Sequence, residues 1–210
     1  MKERIKHLLL FILLIAIDQA SKFWVRTVLI NRDPVVIIPK VLKLEYHTNN
    51  GAVWGLMSGK VDFLKIFTFL VLLLIIFLYF KVPKGKKYNV LKIILVFIMA
   101  GAVGNLIDRI YLNYVVDFIY FEIINFPLFN FADSCLTVSS ILLFILALFY
   151  YRDDDFAFLD QIFRKKQAAK EEKNSKESSD IEDSDTSEDD NSMDDSDSII
   201  NDDNSENDEE

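Results

Sequence analysis

The chain has 210 residues, 51% of them apolar, and still carries a formal charge of −9. Nineteen of the 32 acidic residues but only two of the 23 basic ones lie beyond residue 170, so a basic body of +8 precedes a tail of −17. The lone Cys135 rules out an intramolecular disulfide, His7 and His47 lack zinc-ligand spacing, and neither a glycine-rich phosphate loop nor a G-x-S-x-G element occurs.

Residues 8–17 are continuously apolar and follow Lys2, Arg4 and Lys6, the charged start and apolar middle of a signal peptide. No small-residue cleavage site follows; Asp18 does, and the apolar character resumes at 23–30. The pattern predicts a retained transmembrane helix over about 5–27. Asp18 and Lys22, in DQASK, are four apart on its outer half. In that order they make a favourable helical ion pair. Within a span, ionisable residues also tend to face the bundle interior and serve a site. Both readings stand.

Residues 35–39 (VVIIP) and 41–47 (VLKLEYH) have the composition of short strands, and 48–55 (TNNGAVWG) that of a turn-rich loop. A small sheet outside the bilayer is expected here. Asn49 is by itself a turn residue, since Asn and Gly tolerate positive φ.

Residues 63–80, 90–107 and 136–151 supply three further spans of the length a bilayer requires. Between the first two of these lies KVPKGKKY (81–88), short and strongly basic. Four spans put that loop, the basic N-terminus and Arg164-Lys165-Lys166 on one side, which the positive-inside rule assigns to the cytoplasm. Both termini are then cytoplasmic, and 31–60 and 109–132 face outward. The third span closes as GAVGNLIDRI (101–110), where Gly101 and Gly104 permit close helix packing. Asn105 and Arg109 share a face there. They fit either a functional surface or simple helix-end capping with an Asp108–Arg109 interfacial anchor. From about residue 167 the composition is Asp, Ser, Asn and Glu, which cannot bury enough surface to order itself. The expected division is a membrane body at 1–166 and a disordered acidic tail at 167–210.

Two aspartates stand out. Asp117 and Asp133, 16 positions apart, lie in almost wholly apolar surroundings, with Asn130 and Ser134 close by. An unpaired ionised carboxylate there costs several kcal/mol. They could cap helices or bind basic neighbours, and Asn130 or Asp133 could start the fourth helix. Held close together, they could instead share one proton, so that one acts as base toward water and the other as acid toward a carbonyl oxygen. A divalent metal held by Asp117, Asp133 and Glu122 is a third arrangement, short of ligands.

DQASK, TNNGAVWG, GAVGNLIDRIYLNYVVDF and FPLFNFADS occur in an order that resembles signal peptidase II, the lipoprotein signal peptidase family of bacteria, over about residues 5–152. The resemblance implies an integral membrane aspartyl peptidase with four transmembrane helices. Such an enzyme cuts the signal peptide of a prolipoprotein just before a diacylglyceryl-modified cysteine. It implies that Asp117 and Asp133 are the catalytic pair. Asn49, Asn105, Arg109 and Asn130 match polar positions lining the site, and Asp18 and Lys22 its supporting pair. Val53 and Trp54 depart from the pattern, and the acidic tail is no part of it.

The expectation is therefore an all-α membrane body of four helices with a small outward β element. It hydrolyses a peptide bond at the outer face of the cytoplasmic membrane, as a monomer and with no cofactor or metal. Its partners are lipidated prolipoproteins and membrane lipid, not nucleic acid. The rival expectation is a four-helix transporter or channel subunit, whose carboxylates would sit nearer the midplane.

Overall fold

The computed structural model describes residues 2–51, 57, 59–152 and 155; Val53, Trp54 and the acidic tail lie outside them. Four helices, α1 (Lys2–Val28), α2 (Val61–Lys81), α3 (Lys86–Leu112) and α4 (Phe131–Phe149), are each long and apolar enough to cross a membrane. At 1.5 Å per residue the shortest reaches about 28 Å, close to the hydrocarbon thickness of a bilayer. Among the described residues three strands accompany them: β1 (Val35–Ile38), β2 (Leu42–Asn49) and β3 (Val115–Phe121). They form one antiparallel sheet in the order β1-β2-β3.

Helix α3 is the centre of the bundle. It packs on each of the other three helices and buries twelve residues, whereas α2 buries only Leu64 and Leu72. Phe63, Ile66, Phe67, Leu70 and Leu74 of α2 point outward, as a lipid-facing surface requires. Close packing of α3 against α1 and α4 depends on two glycines. A Cβ on Gly101 would lie 2.8 Å from Leu136 Cγ and would also strike the Ala132 carbonyl; one on Gly104 would strike the Asp18 carboxylate.

The sheet closes one end of the bundle. Val25 and Leu29, at and just beyond the end of α1, pack with Val116 and Phe118 of β3, joined by Leu44 and Tyr46 of β2. This cluster fixes β3 beneath α1 and α3. The register sets Asn49 opposite Val115, Thr48 opposite Val116 and His47 opposite Asp117.

The elements differ from the sequence expectation mainly at their ends. The third span begins at Lys86 and not at 90, so part of the basic loop is helical, and it runs on to Leu112, so Asp108 and Arg109 are helical too. It stops at Asn113, whose φ of 62° is the left-handed cap that ends many helices. The fourth span begins five residues early, at Phe131, because a capping box starts it there. Strand β3 was not expected. Val115–Phe118 are buried on both faces, so the alternation that marks a half-exposed strand is missing.

Candidate active site

The site starts from the cap of α4. Asn130 is the N-cap: its Oδ1 accepts the Asp133 backbone N–H at 2.9 Å, and Asp133 Oδ2 accepts the Asn130 backbone N–H at 3.1 Å. This reciprocal box fixes the Asp133 side chain at the third position of the helix. It also fixes which end of the Asn130 amide is which. With Oδ1 committed to an N–H, Nδ2 must be the end facing β3, where it donates to Asp117 Oδ1 at 2.7 Å.

Two more asparagines are oriented in the same way. Asn49 Oδ1 accepts the Gly51 N–H at 2.9 Å, which turns its Nδ2 onto Asp117 Oδ2, also at 2.9 Å. The register brings this about, since Asn49 and Asp117 are diagonal neighbours on one face of the β2–β3 pair. Asn105 Oδ1 accepts the Lys22 ammonium at 2.9 Å, which turns its Nδ2 onto Asp133 Oδ1 at 2.7 Å. Three of the four carboxylate oxygens of Asp117 and Asp133 thus accept an amide N–H whose direction is set by a second contact, and the fourth, Asp133 Oδ2, accepts the Asn130 backbone N–H.

The two carboxyl groups differ in surroundings. Asp117 is 1% exposed, whereas Asp133 remains partly open. Burial, and after it the charge of Asp133, pushes the Asp117 carboxyl up to about 7, against the opposing hydrogen bonds from Asn49 and Asn130.

Beneath the pair lies a buried ion cluster. Lys22 Nζ is 2.9 Å from Asp18 Oδ2 and 3.2 Å from Asp108 Oδ2, with all three side chains almost fully enclosed. One of the two readings of this stretch paired Asp108 with Arg109, and the structure gives Asp108 a different cation. Neighbouring residues on a helix diverge by about 100°, so Asp108 turns inward to Lys22 and to the Val116 N–H at 3.0 Å. Gln19, which the sequence did not single out, joins the cluster by donating to Asp18 and Asp108 at 3.0 and 3.3 Å. Its position between Asp18 and Lys22 in DQASK was the available signal. Asp18 also reaches the site directly, since its Oδ1 accepts the Ala132 N–H of the first turn of α4 at 2.9 Å.

Arg109 sits at the rim. Its guanidinium donates to the Gly51 carbonyl at 3.2 Å and lies 3.5 Å from the Asn105 carbonyl, four residues back on their common face. Ser134 donates to the Asn130 carbonyl at 3.0 Å, as a helix-internal bond. Glu122 pairs with Lys43 at 3.0 Å, which removes it from the metal trio considered above. Among the described residues no group of three or more His, Cys, Asp or Glu side chains is placed to hold a metal ion. All eight residues singled out from the sequence thus meet at the sheet-bearing end of the bundle.

A family model described as signal peptidase (SPase) II matches residues 10–149, two thirds of the chain and every residue of this site. The chain belongs to the signal peptidase II family. It is similar to the lipoprotein signal peptidase of Staphylococcus carnosus, at 42% identity over 144 residues, covering 68% of this chain and 89% of that one. The lipoprotein signal peptidase of Staphylococcus aureus is 38% identical over 141 residues, covering 66% and 85%. Two solved bacterial membrane enzymes, both determined by the in meso method, share the fold. One, at 2.3 Å resolution, has a TM-score of 0.61 and 36% identity over 68% of this chain and 87% of its own. The other, at 1.9 Å, has a TM-score of 0.59 and 32% identity over 70% and 94%. A signal peptidase II is a multi-pass membrane peptidase, so the transporter reading of the buried carboxylates is set aside.

Proposed function

We propose that this chain is an aspartic endopeptidase that removes signal peptides from prolipoproteins, cutting before the diacylglyceryl-modified cysteine, with Asp117 and Asp133 as its catalytic pair. One observation carries the reading: two carboxyl groups, one buried and one partly open, lie at the same end of the bundle with all four oxygens held by N–H donors that cannot turn away. The pair carries one proton, and the elevated Asp117 carboxyl keeps it near neutral pH.

The chemistry follows from that proton. Asp133, open to water, takes a proton from a water molecule as the water oxygen attacks the scissile carbonyl carbon. Asp117 gives its proton to the carbonyl oxygen. The resulting tetrahedral diol collapses as Asp133 passes its proton to the departing nitrogen, the C–N bond breaks and Asp117 recovers a proton from a diol hydroxyl. Water is split between the two products, and no covalent enzyme intermediate forms. Asn49, Asn105 and Asn130 are positioning residues that hold the carboxyl groups, and Lys22 holds Asn105. Arg109 at the rim faces the arriving peptide.

A site at the end of the bundle suits a lipidated substrate, whose acyl chains remain in the bilayer while the scissile bond meets water. We place that end outside the cytoplasm and both termini inside. The body at 1–166 acts as a monomer, and the tail at 167–210 is dispensable for the chemistry. The test is incubation of the purified protein with a diacylglyceryl-modified prolipoprotein. Signal-peptide release is expected from the native protein and from a chain shortened after Lys166. Asp117→Asn and Asp133→Asn should each lose nearly all turnover per folded molecule, and the double variant little more. Substantial cleavage by either single variant overturns the assignment.

A further inference from the structure

At the end of the bundle opposite the aspartate pair, a cavity of about 750 Å³ opens between the start of α1, the end of α2 and the start of α3. Lys2, Arg4, Lys84, Lys86 and Lys92 line it, and the one acidic residue there, Glu3, is already bound to Lys6 at 2.9 Å. Among the described residues none of those five cations pairs with a carboxylate. The floor is polar but closed: His7 is 6% exposed and its Nδ1 lies 2.9 Å from the Tyr79 hydroxyl.

This crowding is unfavourable as it stands. Lys86 and Lys87 occupy the first turn of α3, where the helix dipole is positive and disfavours cations, and the Gly85 cap offers no side-chain acceptor. Lys87 is relieved by Asp155, whereas Lys84 and Lys86 meet no carboxylate among the described residues. Charge that merely fixes topology could be spread over the interface, whereas here it converges on one recess. Next in the chain to the lining residues Arg4, His7 and Tyr79 stand large exposed apolar side chains, Ile5, Leu8 and Phe80, and the Arg4 guanidinium lies 5.5 Å over the Phe80 ring. A group that is anionic at its head and apolar beyond it fits both features.

We infer that this cavity binds the phosphate headgroup of an anionic glycerophospholipid in the leaflet that this end of the bundle faces. The phosphodiester replaces the missing counter-charge for Arg4, Lys84 and Lys86, and the acyl chains run along Phe80 and Leu8. The acidic tail of the chain could supply negative charge, but its scattered apolar residues, Ile181, Met193, Ile199 and Ile200, form no stretch comparable to an acyl chain. Free phosphate lacks the apolar part altogether.

The experiment uses the full chain purified in a neutral detergent, with dioleoylphosphatidylglycerol, dioleoylphosphatidylcholine or inorganic phosphate added. Bound lipid is read by native mass spectrometry and thermal protection by a melting shift. Phosphatidylglycerol should be retained and protective, the other two not. The variant Arg4→Gln/Lys84→Gln/Lys86→Gln should bind phosphatidylglycerol at least about ten-fold more weakly, on the scale at which each basic side chain contributes to anionic-lipid binding. Lys84→Arg/Lys86→Arg, which keeps the charge, should bind as the native chain does, and all variants should still release signal peptide in detergent. Equal retention of the two lipids, equal protection by inorganic phosphate, or unchanged binding by the Gln variant overturns the inference. So does binding that emerges only after truncation at Lys166, which would hand the cavity to the tail.

Discussion

Asn130 Nδ2 lies 2.7 Å from Asp117 Oδ1, and the amide cannot turn round because its oxygen is held by the Asp133 N–H. One side chain therefore starts α4 and orients a carboxyl group on β3. Asn130→Ala should lose both, with stability falling by about 1 kcal/mol for the cap. Activity should fall roughly 10- to 100-fold, the scale of a hydrogen bond to a charged group. Asn130→Ser keeps a capping oxygen too short to reach Asp117. It should recover much of the stability and little of the activity, read by thermal unfolding and by turnover per folded molecule.

The Asp117 carboxyl, pushed up to about 7 from an ordinary 3.8, ties both activity and stability to pH. The pair needs one proton, so kcat/KM for a lipidated peptide should decline as pH rises through about 7. For stability, the folded state holds this proton where the unfolded chain has released it. Between about pH 4 and 7 this group therefore lowers stability as pH rises, by at most about 1.4 kcal/mol per unit, with no further change above. Asp117→Asn removes that slope. Parallel stability curves for the two proteins across this window would contradict the assignment.

Lys22 is enclosed with two carboxylates and one amide oxygen. Lys22→Met leaves Asp18 and Asp108 buried without their cation, a loss of about 3–5 kcal/mol, and should yield little folded protein. Adding Asp18→Asn and Asp108→Asn removes the orphaned charge and should restore folding. Turnover should stay low in the triple variant, because the donor that orients Asn105 is gone. Size-exclusion profiles and turnover separate the two effects.

Gly101→Ala and Gly104→Ala should both destabilise, for different reasons. At 101 the methyl group meets the rigid Ala132 carbonyl and Leu136, so α3 and α4 must separate. At 104 it meets the Asp18 carboxylate, which can swing away only by leaving Lys22. Overpacking of this kind costs about 1–3 kcal/mol. Gly104→Ala should therefore lower turnover per folded molecule as well as melting temperature.

Topology is checked by introduced cysteines, since Cys135 is buried. Lys60→Cys should react with a membrane-impermeant maleimide in intact cells, and Lys84→Cys only after permeabilisation. Reaction of both from outside would end the four-span arrangement.

Much of this molecule is legible in its sequence, and the parts that are not share a cause. Long apolar runs, interrupted at Asp18, Lys22, Lys92 and Asn105, give the four spans, and two carboxylates among Val, Phe and Leu mark the proposed pair. The partner of Asp108 is not legible because Lys22 is 86 residues away, while Arg109 is adjacent and points elsewhere. Strand β3 was missed because burial on both faces erases the alternation that a half-exposed strand displays. The three asparagines were visible as polar positions, but the direction of each amide follows only from a second partner on another element or in a turn.

The arrangement of the site also dictates when it comes into existence during synthesis. Its members arrive on α1, β2, α3, β3 and α4, and β2 cannot meet β3 until both α2 and α3 have been threaded through the bilayer. Asp133 follows last of these, on α4. A nascent chain therefore lacks the complete site while its own apolar segments are still entering the membrane. With Asp117 and Asp133 acting as proposed, hydrolysis begins only once α4 has docked.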